Sequence, residues 1–71
     1  MNNETMGFVV YMIHRCANDW GASPSDVYRK LKDSGCIMQY LVPHYGVLHT
    51  QSSRYVAEDI RRYLQIRGIE V

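Results

Sequence analysis

Seventy-one residues, 46% of them apolar, make one folded domain and exclude both a disordered chain and a multidomain protein. Eight Lys and Arg against seven Asp and Glu give a net charge of +1, without the basic excess of a strong nucleic-acid binder. No apolar run approaches the roughly 20 residues needed to span a membrane, and there is little room beside the core for a cleft, which counts against a self-contained enzyme.

A chain this short hides only about 60% of its unfolded surface, so a stability on the order of a few kcal/mol and a tendency to self-associate are expected. Met1 to Met6 lacks the basic stretch and cleavage site of a secretion signal, so the expected location is cytoplasmic. In that reducing compartment Cys16 and Cys36 are expected as thiols that act as small buried hydrophobes.

Glycines and prolines divide the chain into four helical segments. The first runs from about Glu4 to Asn18, with Val9, Ile13, Cys16 and Trp20 recurring at spacings of four, three and four. Phe8 and Met12 widen this stripe, Gly7 weakens the start, and Asn18-Asp19 with Gly21 end the helix. The second has the clearest start signal, with Ser23 as cap and Pro24 at the first helical position. Val27, Tyr28 and Leu31 form its inner face, Arg29, Lys30 and Lys32 suit its C-terminal end, and Gly35 stops it.

A short third segment covers Cys36 to Leu41 or Val42, with Ile37, Tyr40 and Leu41 inward, and Pro43 ends it. Pro43 to Thr50 reads as a bent connector that Val47 and Leu48 plug into the core. The fourth helix runs from Ser52 or Ser53 to Ile66, with Val56, Ile60, Tyr63 and Leu64 as its buried stripe. Arg54–Glu58 and Glu58–Arg62 are spaced for ion pairs, and Gly68 closes the helix before a short tail. The expected fold is all-α: a single-domain bundle of about four helices spanning residues 1–71, with a bent connector before the last helix.

Catalytic and metal chemistry finds little footing. His14 and Cys16 point to different sides of a helix, no Cys-x-x-Cys occurs, and His44 and His49 alone can converge around the bend. Cysteine and histidine can be paired on paper as nucleophile and base, but no spacing selects a pair, and Glu58 and Asp59 diverge on their helix. No glycine-rich phosphate loop is present. No cofactor and no catalytic residue is expected.

Six Tyr and one Trp are many for this length. Tyr40, Tyr63 and Trp20 fall on inner faces, whereas Tyr11, Tyr28, Tyr45 and Tyr55 can lie wholly or partly at the surface. Exposed Tyr near Arg is the composition of protein interfaces, although Tyr also pads small cores with its hydroxyl in water. Arg54, Arg61, Arg62 and Arg67 give the fourth helix a basic side that Glu58 and Asp59 interrupt.

Tyr45-Gly46-Val47-Leu48-His49-Thr50-Gln51, followed by Tyr55-Val56-x-x-Asp59-Ile60, resembles the short bacterial proteins catalogued as domain of unknown function 3791. Phe8-Val9-Val10, Ser23-x-x-Asp26-Val27-Tyr28 and Tyr40-Leu41-x-Pro43-x-Tyr45 extend the resemblance over nearly the whole chain. Gly46 stands where members often carry an acid, and Asp26 where they carry Glu. The resemblance brings no activity to transfer residue by residue. It implies a companion of a larger bacterial protein, encoded by a neighbouring gene. One such partner belongs to a further family of unknown function, numbered 3990, that is similar to ADP-ribosyltransferases, an arrangement like a toxin and its neutralising partner.

Two functions are therefore carried forward. The first is a non-catalytic protein-binding module, antitoxin-like or accessory, with Tyr11, Tyr45, His49, Tyr55 and Arg62 as candidate partner-binding residues. For His49 a structural role at the start of the fourth helix is the competing reading. The second is a helix-turn-helix-like nucleic-acid binder built on the corner between the second and third segments.

Overall fold

The computed structural model describes all 71 residues and contains helices and turns only. Helix α1 spans Asn3–Trp20 and α2 spans Pro24–Asp33. A π-helical turn follows at Ile37–Leu41, then a single-turn α3 at Tyr45–Leu48 and finally α4 at Ser53–Ile66. Helix α1 packs against both α2 and α4, and α2 packs against the π-turn.

Each long helix starts on a side-chain cap. Asn2 accepts the Thr5 N–H at 2.7 Å, Ser23 accepts the Asp26 N–H at 3.2 Å, and Ser52 accepts the Tyr55 N–H at 3.1 Å. Helix α1 ends in a left-handed Gly21, φ 65°, after which the Ala22 N–H reaches back to the Ala17 carbonyl at 3.0 Å. Helix α4 ends the same way: the Ile69 N–H donates to the Leu64 carbonyl at 2.9 Å, and Gly68 supplies the positive φ. The tail then docks, with Ile69 and Val71 on the core and the Lys30 ammonium donating to the Glu70 carbonyl at 2.9 Å.

The core is one cluster drawn from every element. Met12, Leu31, Leu41, Ile60 and Leu64 are its largest fully buried side chains, each worth about 1.5–3 kcal/mol relative to exposure. Cys16 and Cys36 lie in it as free thiols. Burial raises the pKa of each to about 12, so both stay protonated and behave as small hydrophobes.

Four local expectations are corrected. The connector holds its own helical turn, α3, and only Leu48 of the expected pair is an anchor, because Val47 is 63% exposed. Adjacent helical residues diverge by about 100°, and in this single surface turn that angle puts Leu48 on the core and Val47 in solvent. Tyr28 is not on the inner face of α2 but exposed, leaving Val27 and Leu31 buried. Arg54–Glu58 and Glu58–Arg62 do not pair, since Arg62 turns to Asp59 at 2.8 Å. That carboxylate is held by a second partner, the Tyr40 hydroxyl, which makes it the better fixed acceptor.

Candidate protein-binding surface

Helix α1 carries too many apolar residues for one core. Phe8 to Ile13 is a continuous apolar run, and on a helix such a run must wrap most of the circumference. Val9, Met12 and Ile13 are buried, Phe8 is half-buried, and Val10 and Tyr11 are left outside on two different flanks. These flanks build two distinct surfaces.

The first flank presents Phe8, Tyr11 and Arg15 at helical spacing toward α3 and the start of α4. Phe8 meets the Tyr45 ring edge-on at 5.5 Å, and Tyr45 stacks on the His49 ring at 4.6 Å. Arg15 pairs with Asp19 at 3.0 Å and donates to the Ser53 hydroxyl. The Ser53 and Arg15 hydrogen bonds lower the Tyr11 pKa from its ordinary value.

Of the sequence candidates, Tyr45 and His49 are thus in direct contact, and Tyr11 lies by Ser53. Tyr55 and Arg62 share one face of α4 with Asp59 between them, at spacings of four and three. Tyr11, His49, Tyr55 and Arg62 are exposed and Tyr45 is half-buried. No single contact cluster joins all five.

His49 also has a structural tie. Its Nδ1 lies 2.8 Å from the Tyr45 carbonyl, and His44 repeats the arrangement at 2.9 Å from the Tyr40 carbonyl. A carbonyl only accepts, so Nδ1 carries a hydrogen in both rings. Nowhere does the chain gather three His, Cys, Asp or Glu side chains in metal-binding geometry.

A column of rings continues along the same side of α4, beyond Asp59. Tyr40 lies between His44 and Tyr63, with centroids 5.7 Å from each, and the Arg67 guanidinium sits 3.4 Å above the Tyr63 ring. These groups bind one another rather than opening toward a ligand.

The second flank was not singled out from the sequence. Met6, Val10 and Ile13 recur at spacings of four and three along α1, facing Tyr28 and Lys32 of α2, with Met38 of the π-turn at the end. Together with Met1, Val9 and Ile37 they line an open groove of about 360 Å³. Five of the nine large exposed hydrophobics of the chain, Met1, Met6, Val10, Tyr28 and Met38, lie on it. Concentrated apolar exposure of this kind marks interaction sites, whereas scattered single residues do not. The signal available in the sequence was the length of the apolar run in α1 and the unassigned Met6 and Met38.

The groove is almost uncharged. Lys32 is the one charged side chain among its nine lining residues. Most other cations are engaged elsewhere: Arg15, Arg29 and Arg62 pair with Asp19, Asp26 and Asp59, Lys30 reaches the tail and Arg67 covers Tyr63. The corner after α2, expected as a helix-turn-helix, has only the five-residue π-turn as its second arm, with Ile37 and Leu41 buried. Its Val42 N–H bonds the Ile37 carbonyl at 2.9 Å, which leaves Met38 and Gln39 as the exposed residues.

Residues 7–67 match the family described as Protein of unknown function (DUF3791). Neither a curated protein nor a solved structure matches the chain. No helix is long and apolar enough to cross a membrane.

Proposed function

The chain belongs to the DUF3791 family, and from that premise we propose that it is a non-catalytic protein-binding module, an antitoxin-like or accessory subunit of a larger bacterial protein in the cytoplasm. The observation that carries this reading is the apolar groove between α1 and α2, with five large hydrophobics exposed on it. In a domain of this size such a surface opposes solubility unless a partner covers it. Methionine supports the same reading, because its flexible thioether lets a surface repack around a protein partner. The partner is sought among products of neighbouring genes, with a protein similar to ADP-ribosyltransferases as the first to try.

Co-expression with the neighbouring gene product, followed by size-exclusion chromatography, tests the reading. Co-elution at fixed stoichiometry, lost in Met38→Asp, is the expected result. Separate elution of the two proteins at micromolar concentration overturns it. Nucleic-acid binding is the second reading, favoured by Arg54 and Arg61, which share a polar cleft with Trp20 at the α1–α4 seam. Salt-sensitive association with mixed DNA at low ionic strength would move the weight there.

A further inference from the structure

We infer that the partner element seated in the α1–α2 groove is an amphipathic helix with a carboxylate at the edge of its apolar face, and that Lys32 receives that carboxylate. The inference rests on the protein-binding reading and specifies what is bound.

The backbone decides between a helix and an extended strand. The groove walls are α1 and α2, whose interior N–H and C=O groups are used within their own helices. The walls thus offer no free backbone donors or acceptors, and the chain has no sheet edge for a strand to join. An extended segment pressed into this apolar surface would bury its own peptide groups unpaired, at a cost of several kcal/mol in total. A helix satisfies its backbone internally and can offer apolar side chains at spacings of three, four and seven. The walls match such a row, with Met6, Val10 and Tyr28 along the groove and Met38 at its end.

Charge decides between a foreign helix and a second copy. Lys32 forms none of the ion pairs of the chain, and no acidic side chain lines the groove. In a twofold dimer the same patch meets itself. Two such grooves would therefore bring two Lys32 ammonium groups to one apolar interface with no counter-charge among the lining residues. A partner carboxylate supplies what the groove lacks and, being at one edge, also fixes the direction in which the helix lies.

The test uses the full chain and two synthetic helix-forming peptides. Both carry an identical leucine face, one with Glu and the other with Lys beside it. Binding is read by titration calorimetry and by NMR shifts of the methionine methyls. The Glu peptide should shift the Met6 and Met38 methyls and bind about fivefold or more tightly than the Lys peptide, a ratio set by one partly screened ion pair.

Lys32→Glu should invert that preference without loss of helical circular dichroism. Equal binding of both peptides to the native chain, or no inversion in the variant, overturns the role of Lys32. Absence of methionine shifts with either peptide overturns the helix-in-groove assignment. So does concentration-dependent dimerisation that Met38→Asp abolishes, because the occupant is then a second copy. With the co-expressed partner, loss of co-elution in Met38→Asp but not in Lys32→Glu leaves the protein-binding reading standing and removes only this inference. Peptide binding with no co-eluting partner does the reverse.

Discussion

The Tyr40 hydroxyl donates a 2.8 Å hydrogen bond to the Asp59 carboxylate, tying the π-turn to the middle of α4. Arg62 holds the other oxygen of the same carboxylate at 2.8 Å. Burial, and then the Asp59 carboxylate, push the Tyr40 phenol well above its ordinary range, so it is a hydrogen-bond donor at neutral pH. The neighbouring ring differs. Tyr63 stacks on Tyr40 at 5.7 Å, yet its hydroxyl is buried without a partner.

The two tyrosines therefore respond oppositely to loss of the hydroxyl. Tyr40→Phe leaves Asp59 short of a donor and should cost about 1.5–3 kcal/mol, as for a bond to a charged acceptor. Tyr63→Phe removes an unsatisfied polar group and should be neutral or stabilising by up to about 1 kcal/mol. Urea unfolding followed by circular dichroism measures both, and equal losses in the two variants would contradict the bonding described.

The α3 turn sets a second contrast. Leu48 is buried and Val47 is 63% exposed. Leu48→Ala should cost about 2–5 kcal/mol, the range for a buried leucine cut back to alanine. Val47→Ala should stay within about 0.5 kcal/mol of the native chain. Thermal melts of the two variants decide this, and a large loss for Val47→Ala would restore the two-anchor connector.

Two glycines should also part company. Gly7 sits in α1 with ordinary helical φ, and a Cβ there meets nothing within 4 Å. Gly7→Ala should stabilise by about 0.5–1 kcal/mol through helix propensity and reduced unfolded-state freedom. Gly21 has φ +65°, where an added Cβ meets no neighbour but strains the backbone. Gly21→Ala should therefore destabilise by about 1–2 kcal/mol. Denaturant midpoints give the sign directly.

Alkaline pH should unfold the chain through its cysteines. Cys16 and Cys36 have pKa values raised from 9.0 to about 12 in the folded protein, burial being the first cause. Between those values the unfolded chain has lost both thiol protons while the folded chain keeps them. Folding stability is thus fully present below pH 9 and falls as pH rises toward 12, by at most about 1.4 kcal/mol per pH unit for each thiol. Urea midpoints taken from pH 8 to 11 should decline, and the decline should be shallower in Cys16→Ala. An unchanged slope in that variant would mean that Cys16 titrates freely.

The surface is where residue type says least about spatial arrangement. Tyr11, Tyr45, His49, Tyr55 and Arg62 were chosen by residue type, and the structure distributes them over the α3 turn and two helices. Met6, Val10 and Met38 lie in helical segments, where periodicity alone does not separate a core position from an exposed groove wall. Tyr28 illustrates the difficulty, since the spacing that put it beside Val27 and Leu31 fits an inner face and a groove wall equally well.

By itself the sequence determined the three long helices and most of their ends. Ser23-Pro24, Ser52, Gly21, Gly35 and Gly68 act through hydrogen bonds and φ values within a few residues, so local chemistry suffices to place them. It determined the family as well, and the central stripe of each long helix. Tertiary structure decided which edge of each stripe is covered. The α3 turn, through Tyr45, and α4, through Ser53, close over the Phe8–Arg15 flank of α1, while α2 leaves the Met6–Val10 flank open. That choice depends on how three helices divide a limited apolar area among themselves, and a helical periodicity, which knows only its own axis, does not contain it.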